Sequence, residues 1–312
     1  MTIEEATRIC RQFYALGNPG EDDRFLFTEA MQYLIEQTHD PRYMMALGGM
    51  YYENKDFDLA LKYYEMAAEE DELKAFTCLG YIWYYGRTGQ RDFEKAFHYY
   101  DKARMMGDMI AAYKVADMYR NGYYVQKDPA KSKAILEKLY PRIRKTRNPF
   151  DPLPEISTRL ARVRTEEGRP EEALQLYLQA RKMMVLRLAQ HPFFGDVTIM
   201  KGLVCDLSRL KPFDAADFDL YDLFDLMRSP AKVRFTYEST VCEVEAVPGE
   251  TEPAIRFGEK WFRTLQDFML KAEIDGELLI TLYDDLYDYT LVEGPSAADR
   301  APFPPQAGDS NE

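Results

Sequence analysis

The sequence predicts a mainly α fold: an alpha-alpha superhelix of stacked helix pairs, followed by a small α+β module. Three observations carry this. First, small and large residues return at fixed offsets between Tyr43 and Ala180. Leu47-Gly48, Leu79-Gly80, Val115-Ala116 and Leu160-Ala161 open four units, and Ala60, Ala96, Ser132 and Ala173 hold the matching later position. Tyr64, Tyr100, Leu136 and Tyr177 come four residues on, with Ala67, Ala103, Leu139 and Ala180 three after that. One packing problem is solved four times, as happens when helix pairs bury their apolar faces only against their neighbours. Second, apolar spacing changes from helical to alternating at Lys232. Third, the net charge of −13 is split unevenly, with +1 over residues 1–212 and −14 over 213–312.

The elements follow in order. Residues 2–16 read as a helix, with Thr2 as N-cap and Glu5 as its capping-box partner. Gly17-Asn18-Pro19-Gly20 is a loop, and a second helix is expected from Arg24 to Gln37. This pair reads as a degenerate first repeat that caps the stack. The repeats proper place helices at Tyr43–Glu53 and Asp56–Glu69, at Leu73–Tyr85 and Asp92–Met105, and at Met109–Asn121 and Asp128–Leu139. Asp56, Asp92 and Asp128 align as N-caps of the second helices. Pro141, Pro149, Pro152 and Pro154 forbid a continuous helix across that stretch, which also carries Arg142, Arg144, Lys145 and Arg147. A long helix over 174–190 ends at His191-Pro192, and another is expected from Val197 to Leu210. Lys211-Pro212 marks a domain boundary, and Phe213–Met227 reads as an amphipathic acidic helix.

Beyond that, Val233–Tyr237, Val241–Val247, Ala254–Phe257 and Lys260–Phe262 read as strands. Thr264–Lys271 is a helix, Glu277–Leu286 a helix or strand, and Tyr287–Val292 a strand. The expected organisation is a solenoid over 1–211, an acidic module over 212–293 and a disordered tail over 294–312.

Hydrophobic residues make up 46% of the 312, ample for a core, and the 23 Tyr suit both wedges between small residues and an interaction surface. The acidity of the last third argues against nucleic acid or an anionic membrane as its partner. Cys10, Cys78, Cys205 and Cys242 are scattered, with no CxxC pair, so a reducing cytoplasm is expected. The acidic start Met1-Thr2-Ile3-Glu4-Glu5 lacks an apolar core for a signal peptide. No apolar run of about 18 residues predicts a membrane span.

The pattern Leu79, Gly80, Gly86, Asp92, Lys95, Ala96, Tyr99, Tyr100, Ala103, Gly107 resembles the Sel-one-like repeat, a close relative of the tetratricopeptide repeat. The resemblance covers about 40–190. The first and fourth units, with short loops such as Gly168-Arg169-Pro170-Glu171-Glu172-Ala173, look more like ordinary tetratricopeptide repeats. The third departs from the pattern, with Val115-Ala116 for Leu-Gly and Ser132 for Ala. The resemblance implies adaptor and assembly roles, including in bacterial signalling and protein quality control. A bacterial, non-enzymatic scaffold is therefore expected. In such stacks the first helix of each pair lines a concave groove. That geometry puts Met45, Tyr52, Thr77, Tyr81, Tyr84, Tyr85, Tyr113, Arg120, Asn121, Arg162 and Thr165 on the inner face, where they could hold a peptide or protein. Tyr52, Tyr84 and Arg120 share matching offsets. The alternative for each tyrosine is a core wedge.

Chemistry is sparse. His39, His98 and His191 lie apart with no ligand-spaced neighbour, so no metal or cofactor is expected. No GxSxG, P-loop, GxGxxG after a strand or HExxH is present. Asp214, Asp217, Asp219, Asp222 and Asp225 lack the EF-hand spacing and read as a solvated helix face, as do Asp284, Asp285 and Asp288. The basic run 142–147 lacks the interleaved aromatics of an RNA module. It reads as a solvated loop or as a contact for the acidic module. Two other functions compete with the scaffold. One is an immunity-type or regulatory protein whose acidic module blocks a basic partner. The other is an enzyme using Glu243, Glu245, Asp267 and Asp285.

Overall fold

The computed structural model describes residues 1–16, 19–190, 194–210, 220–249, 253–282 and 285–294. They form a mainly helical repeat region followed by a module built on a five-stranded antiparallel sheet. The chain divides into two compact units, with the boundary in sequence between Ile135 and Leu136.

The first unit holds helices α1 (Ile3–Ala15), α2 (Glu21–Thr38), α3 (Pro41–Glu53), α4 (Phe57–Glu69), α5 (Leu73–Tyr85), α6 (Phe93–Met105) and α7 (Met109–Asn121), and the start of α8 (Pro129–Ile143). Each of α1 to α6 packs on the next. The caps follow the sequence. Thr2 and Glu5 form a reciprocal capping box on α1. Asp56, Asp92 and Asp128 accept from the backbone N–H groups of Leu59, Lys95 and Lys131 at 3.3, 2.9 and 2.8 Å. Helix α2 starts three residues before its expected position, because Asp23 caps back onto the Gly20 N–H at 2.9 Å. The repeated small–large pairs are the packing contacts. Gly48 lies against Tyr64 and Gly80 against Tyr100, so closely that a Cβ would overlap either ring.

Two proline expectations need correction. Helix α8 does not stop before Pro141 but runs through it to Ile143. A proline there removes one hydrogen bond next to a helix end, where the helix is about to terminate. Pro154 does not break a helix either. It sits in the first turn of α9 (Leu153–Glu166), where a proline has no N–H to waste. Of the segment expected to be irregular, 144–152 is so.

In the second unit, α9 pairs with α10 (Pro170–Gln190), which packs on α11 (Phe194–Leu210). The acidic helix expected over 213–227 is described only as α12 (Leu220–Leu226); Asp214, Asp217 and Asp219 lie outside the described residues, as do His191, the 211–212 boundary and the tail from 295. The sheet runs in the order β4 (Lys260–Phe262), β3 (Ala254–Phe257), β2 (Thr240–Val247), β1 (Ala231–Tyr237), β7 (Leu286–Glu293). Its buried face carries Val233, Phe235, Val244, Ile255 and Phe262, covered by α13 (Leu265–Lys271). Phe268 of α13 meets Phe224, Phe257 and Phe262 edge-on at 5.4–6.0 Å. The stretch Glu277–Leu286, expected as one helix or strand, is neither: it opens with the two-residue strand β6 (Glu277–Leu278), which pairs with an unforeseen β5 (Glu273–Ile274), and continues as a 3-10 turn at Leu279–Thr281.

Candidate functional site

Helices α3, α5 and α7 are the first helices of their pairs, and α5 and α7 meet directly. On that face a cation sits among tyrosines. Lys114 of α7 is buried, with 3% of its surface exposed. Its ammonium donates to the Tyr85 hydroxyl at 2.6 Å. It also lies over the rings of Tyr85, Tyr81, Tyr84 and Tyr113, at 4.8, 5.0, 5.1 and 5.7 Å from their centroids. The ring quadrupoles replace part of the hydration that the charge gives up. Tyr81 and Tyr113 link α5 to α7 through their hydroxyls, 3.1 Å apart, and Tyr81 stacks on Tyr85 at 5.9 Å.

Arg87 extends the array. Its Nε donates to the Tyr52 hydroxyl at 3.3 Å, tying the end of α3 to the loop after α5. Its guanidinium lies 5.0 Å from the Tyr85 ring and 5.6 Å from the Phe57 ring. A shallow depression of about 470 Å³ opens beside it, lined by Asn54, Lys55, Asp56, Phe57, Asp58 and Thr88 among others. Burial raises the Tyr81 and Tyr52 hydroxyls above the ordinary tyrosine pKa, against the opposing pull of Lys114 and Arg87. Both stay neutral at physiological pH and can donate hydrogen bonds. Burial also pushes the neighbouring Cys78 thiol up to about 12, which keeps it a poor nucleophile.

The expected groove residues divide. Tyr52, Tyr81, Tyr85 and Tyr113 come together in this array. Tyr81, Tyr85 and Tyr52 are half-buried, whereas the body of Tyr113 is enclosed. Tyr84 belongs to the core as well as to the array, its ring being one of the four around Lys114. It is 2% exposed and packs edge-on against Phe93, Tyr100 and Tyr123, as a wedge toward α6. Arg120 is half-buried and Asn121 exposed at the end of α7; Met45 is half-buried and Thr77 buried. Arg162 belongs to the second unit, where its Nε donates to Asp206 at 2.7 Å; Thr165 caps back onto the Ala161 carbonyl there.

Lys114 and Arg87 were not singled out by the sequence. A signal existed for Lys114: the residue before the Leu-Gly position is Ala46 in the first repeat and Cys78 in the second, but a lysine in the third. The fourth unit also places a cation there, Arg159 before Leu160, and a charge at this inward position needs a local partner.

Three of the four candidate carboxylates of the module are engaged by cations. Glu243 meets Lys232 at 2.7 Å and Arg234 at 3.2 Å, Glu245 meets Arg256 at 2.5 Å, and Asp267 meets Lys271 at 2.6 Å. Its hydrogen bond from Lys232, with help from Arg234, lowers the Glu243 pKa, opposite to what a general acid requires. Glu243 and Glu245 line a shallow depression of about 660 Å³, which Asp267 and Asp285 do not join. Among the described residues, no group of three or more His, Cys, Asp and Glu is arranged to hold a metal ion, and no helix is long and apolar enough to cross a membrane.

Among curated proteins, none matches the sequence significantly. In solved structures, a Sel1 repeat protein from Oxalobacter formigenes is similar at 21% identity and a TM-score of 0.48, over 67% of this chain and 78% of that one. A protective antigen present in uropathogenic Escherichia coli strains, displaying an SLR fold, is 17% identical with a TM-score of 0.46, over 67% and 49%. A thermophilic TPR protein in Thermus thermophilus is 18% identical with a TM-score of 0.40, over 66% and 99%. The Sel1 repeat family matches at residues 42–72, 79–108 and 110–140. The chain thus carries Sel1 repeats within residues 42–140, a repeat type that generally mediates protein binding and is usually non-catalytic.

Proposed function

We propose that the chain is a non-enzymatic scaffold that binds a peptide or protein segment across the tyrosine face of α3, α5 and α7. One observation carries the reading: Tyr52, Arg87, Tyr85, Lys114 and Tyr81 form a continuous, mutually ordered array along that face. Core packing needs apolar wedges, not hydroxyls and cations. Side chains already fixed in place lose little entropy on binding, and half-buried tyrosines offer large contact area with a polar tip. The partner chemistry that fits is an extended segment whose backbone oxygens accept from the tyrosine hydroxyls and from Arg87. Arg120 and Asn121 prolong the same face. The unpaired thiols of Cys10, Cys78 and Cys242 support a reducing compartment, which we propose is the cytoplasm.

The test is cross-linking capture from cells with the wild-type chain and with Tyr81→Ala/Tyr85→Ala as baits, after circular dichroism has matched their helicity. Partners held by this face are lost from the double variant. Equal recovery by both baits removes the assignment.

A further inference from the structure

We propose that the basic stretch Arg142–Arg147, running from the last turn of α8 into the loop after it, is a docking surface for an acidic, aromatic-bearing segment of a partner protein. Arg142, Arg144, Lys145 and Arg147 are all exposed, and Lys182 of α10 is exposed beside them. None of the five makes an ion pair among the described residues. Elsewhere in the second unit, Arg164, Arg169, Arg256, Lys260 and Lys271 each have a carboxylate. An unneutralised cluster persists on a chain of net charge −13, so the cations are spared by their placement.

The loop is also held far more firmly than a connection requires. Thr146 donates to Asp151 at 2.5 Å, the Asn148 amide donates to the same carboxylate at 3.1 Å, and the Phe150 N–H donates to the Asn148 side chain at 3.1 Å. The Gln179 side chain donates to the Arg144 carbonyl at 3.0 Å and accepts from Tyr140 at 2.8 Å. Beneath the loop, Arg187 is 5% exposed. It donates to the carbonyls of Pro149 and Asp151 at 2.7 and 2.9 Å, and it pairs with Glu155 at 2.7 Å and Asp196 at 2.9 Å. Burying an arginine is costly unless every donor is satisfied, and two of its acceptors here are loop carbonyls. The consequence is a rigid display of cations.

Two apolar side chains stand among the charges. Phe150 is 52% exposed and Leu186 is 42% exposed. Gln179, Lys182 and Leu186 share one face of α10, and Gln179 and Arg187 place that face along the loop. An exposed aromatic close in sequence to a basic stretch on a held backbone has the composition of an interaction hot spot. It matches a short segment that alternates carboxylates with an aromatic residue. A nucleic acid fits less well: it asks for a run of stacking aromatics, whereas Phe150 is the exposed aromatic that stands here.

The surface is tested by fluorescence anisotropy on the full chain. The probes are a labelled peptide alternating Glu and Phe, its counterpart with Gln for Glu, and a labelled oligouridylate. The Glu/Phe peptide is expected to bind, with affinity falling as salt rises. It should bind about ten-fold more weakly to Arg144→Glu/Lys145→Glu/Arg147→Glu and several-fold more weakly to Phe150→Ser, with Tyr81→Ala/Tyr85→Ala unaffected. The last control separates this surface from the tyrosine face. The proposal is overturned by absence of binding at low salt, by equal binding of the Gln peptide, by tighter binding of the oligouridylate, or by undiminished binding to the charge-reversed loop.

Discussion

Lys114 decides the order of the tyrosine face. Its stem fills space between α5 and α7 and its ammonium lies among four rings. Lys114→Ala removes both, and is expected to cost about 2–4 kcal/mol in thermal unfolding. Lys114→Met restores the stem volume without the charge and should recover at least half of that loss, because the desolvation of the ammonium disappears with it. If Met and Ala are equally destabilised, the charge and not the volume is what matters. The tyrosines give a second test. Burial raises the Tyr81 and Tyr100 hydroxyls well above 10.0. Above that pH the unfolded state loses phenolic protons that the folded state keeps, so stability is full below about pH 10 and falls as pH rises further. In an alkaline titration followed by the tyrosinate absorbance, the exposed phenols should ionise first. These two should appear only together with loss of helical circular dichroism; early ionisation would mean that the cluster is open. Which tyrosines belong to the face was only partly legible. Tyr84 and Tyr85 are adjacent and chemically identical, and about 100° of helical rotation buries the first against Phe93 and Tyr100 of α6 and leaves the second half-buried, while both rings reach Lys114. A repeat offset fixes the helix, but the choice between its two inward directions depends on the neighbouring helix.

At the scale of the element, the small residues of the repeat carry the packing. Gly48 and Gly49 are neighbours in α3, yet only one is required. A Cβ at Gly48 would lie 2.7 Å from the Tyr64 ring, whereas one at Gly49 meets nothing within 4 Å. Gly48→Ala should therefore destabilise by about 1–3 kcal/mol through overpacking. Gly49→Ala should stabilise by about 1 kcal/mol through helix propensity. Opposite shifts in chemical denaturation midpoint test the pair, and shifts of the same sign would show that the Gly48–Tyr64 contact is not tight. This layer was legible because it is local. The Leu-Gly and Tyr spacing, the aspartate caps and the Thr264 cap on α13 are all set within one turn or one hairpin. Pro141 misled because a proline rule for helix interiors does not apply near a helix end. The β5–β6 hairpin escaped notice because two-residue strands leave no alternation to read.

For the whole molecule, composition and contacts divide the chain differently. Charge changes at 212, whereas packing divides at 135, and α9 to α11 share a unit with the sheet. Composition registers which residues face solvent; it is blind to which helix covers which. Within the second unit, α13 packs on α11 and the Leu279–Thr281 turn packs on α10. Buried apolar residues on both sides of these contacts include Met200, Leu203, Phe268 and Leu279. A chain ended after Leu210 would leave the α10 and α11 side of that core uncovered. Hydrogen exchange should then rise across α10 and α11, since local opening is governed by buried apolar contact. Amides of α3 to α7 should keep their protection, because their apolar clusters are filled from residues within 1–135. Unchanged exchange in α10 and α11 would instead favour the boundary that charge suggests, with a module that folds by itself and a helical stack that needs no cover. The contrast is sharp because the two divisions disagree about the same two helices.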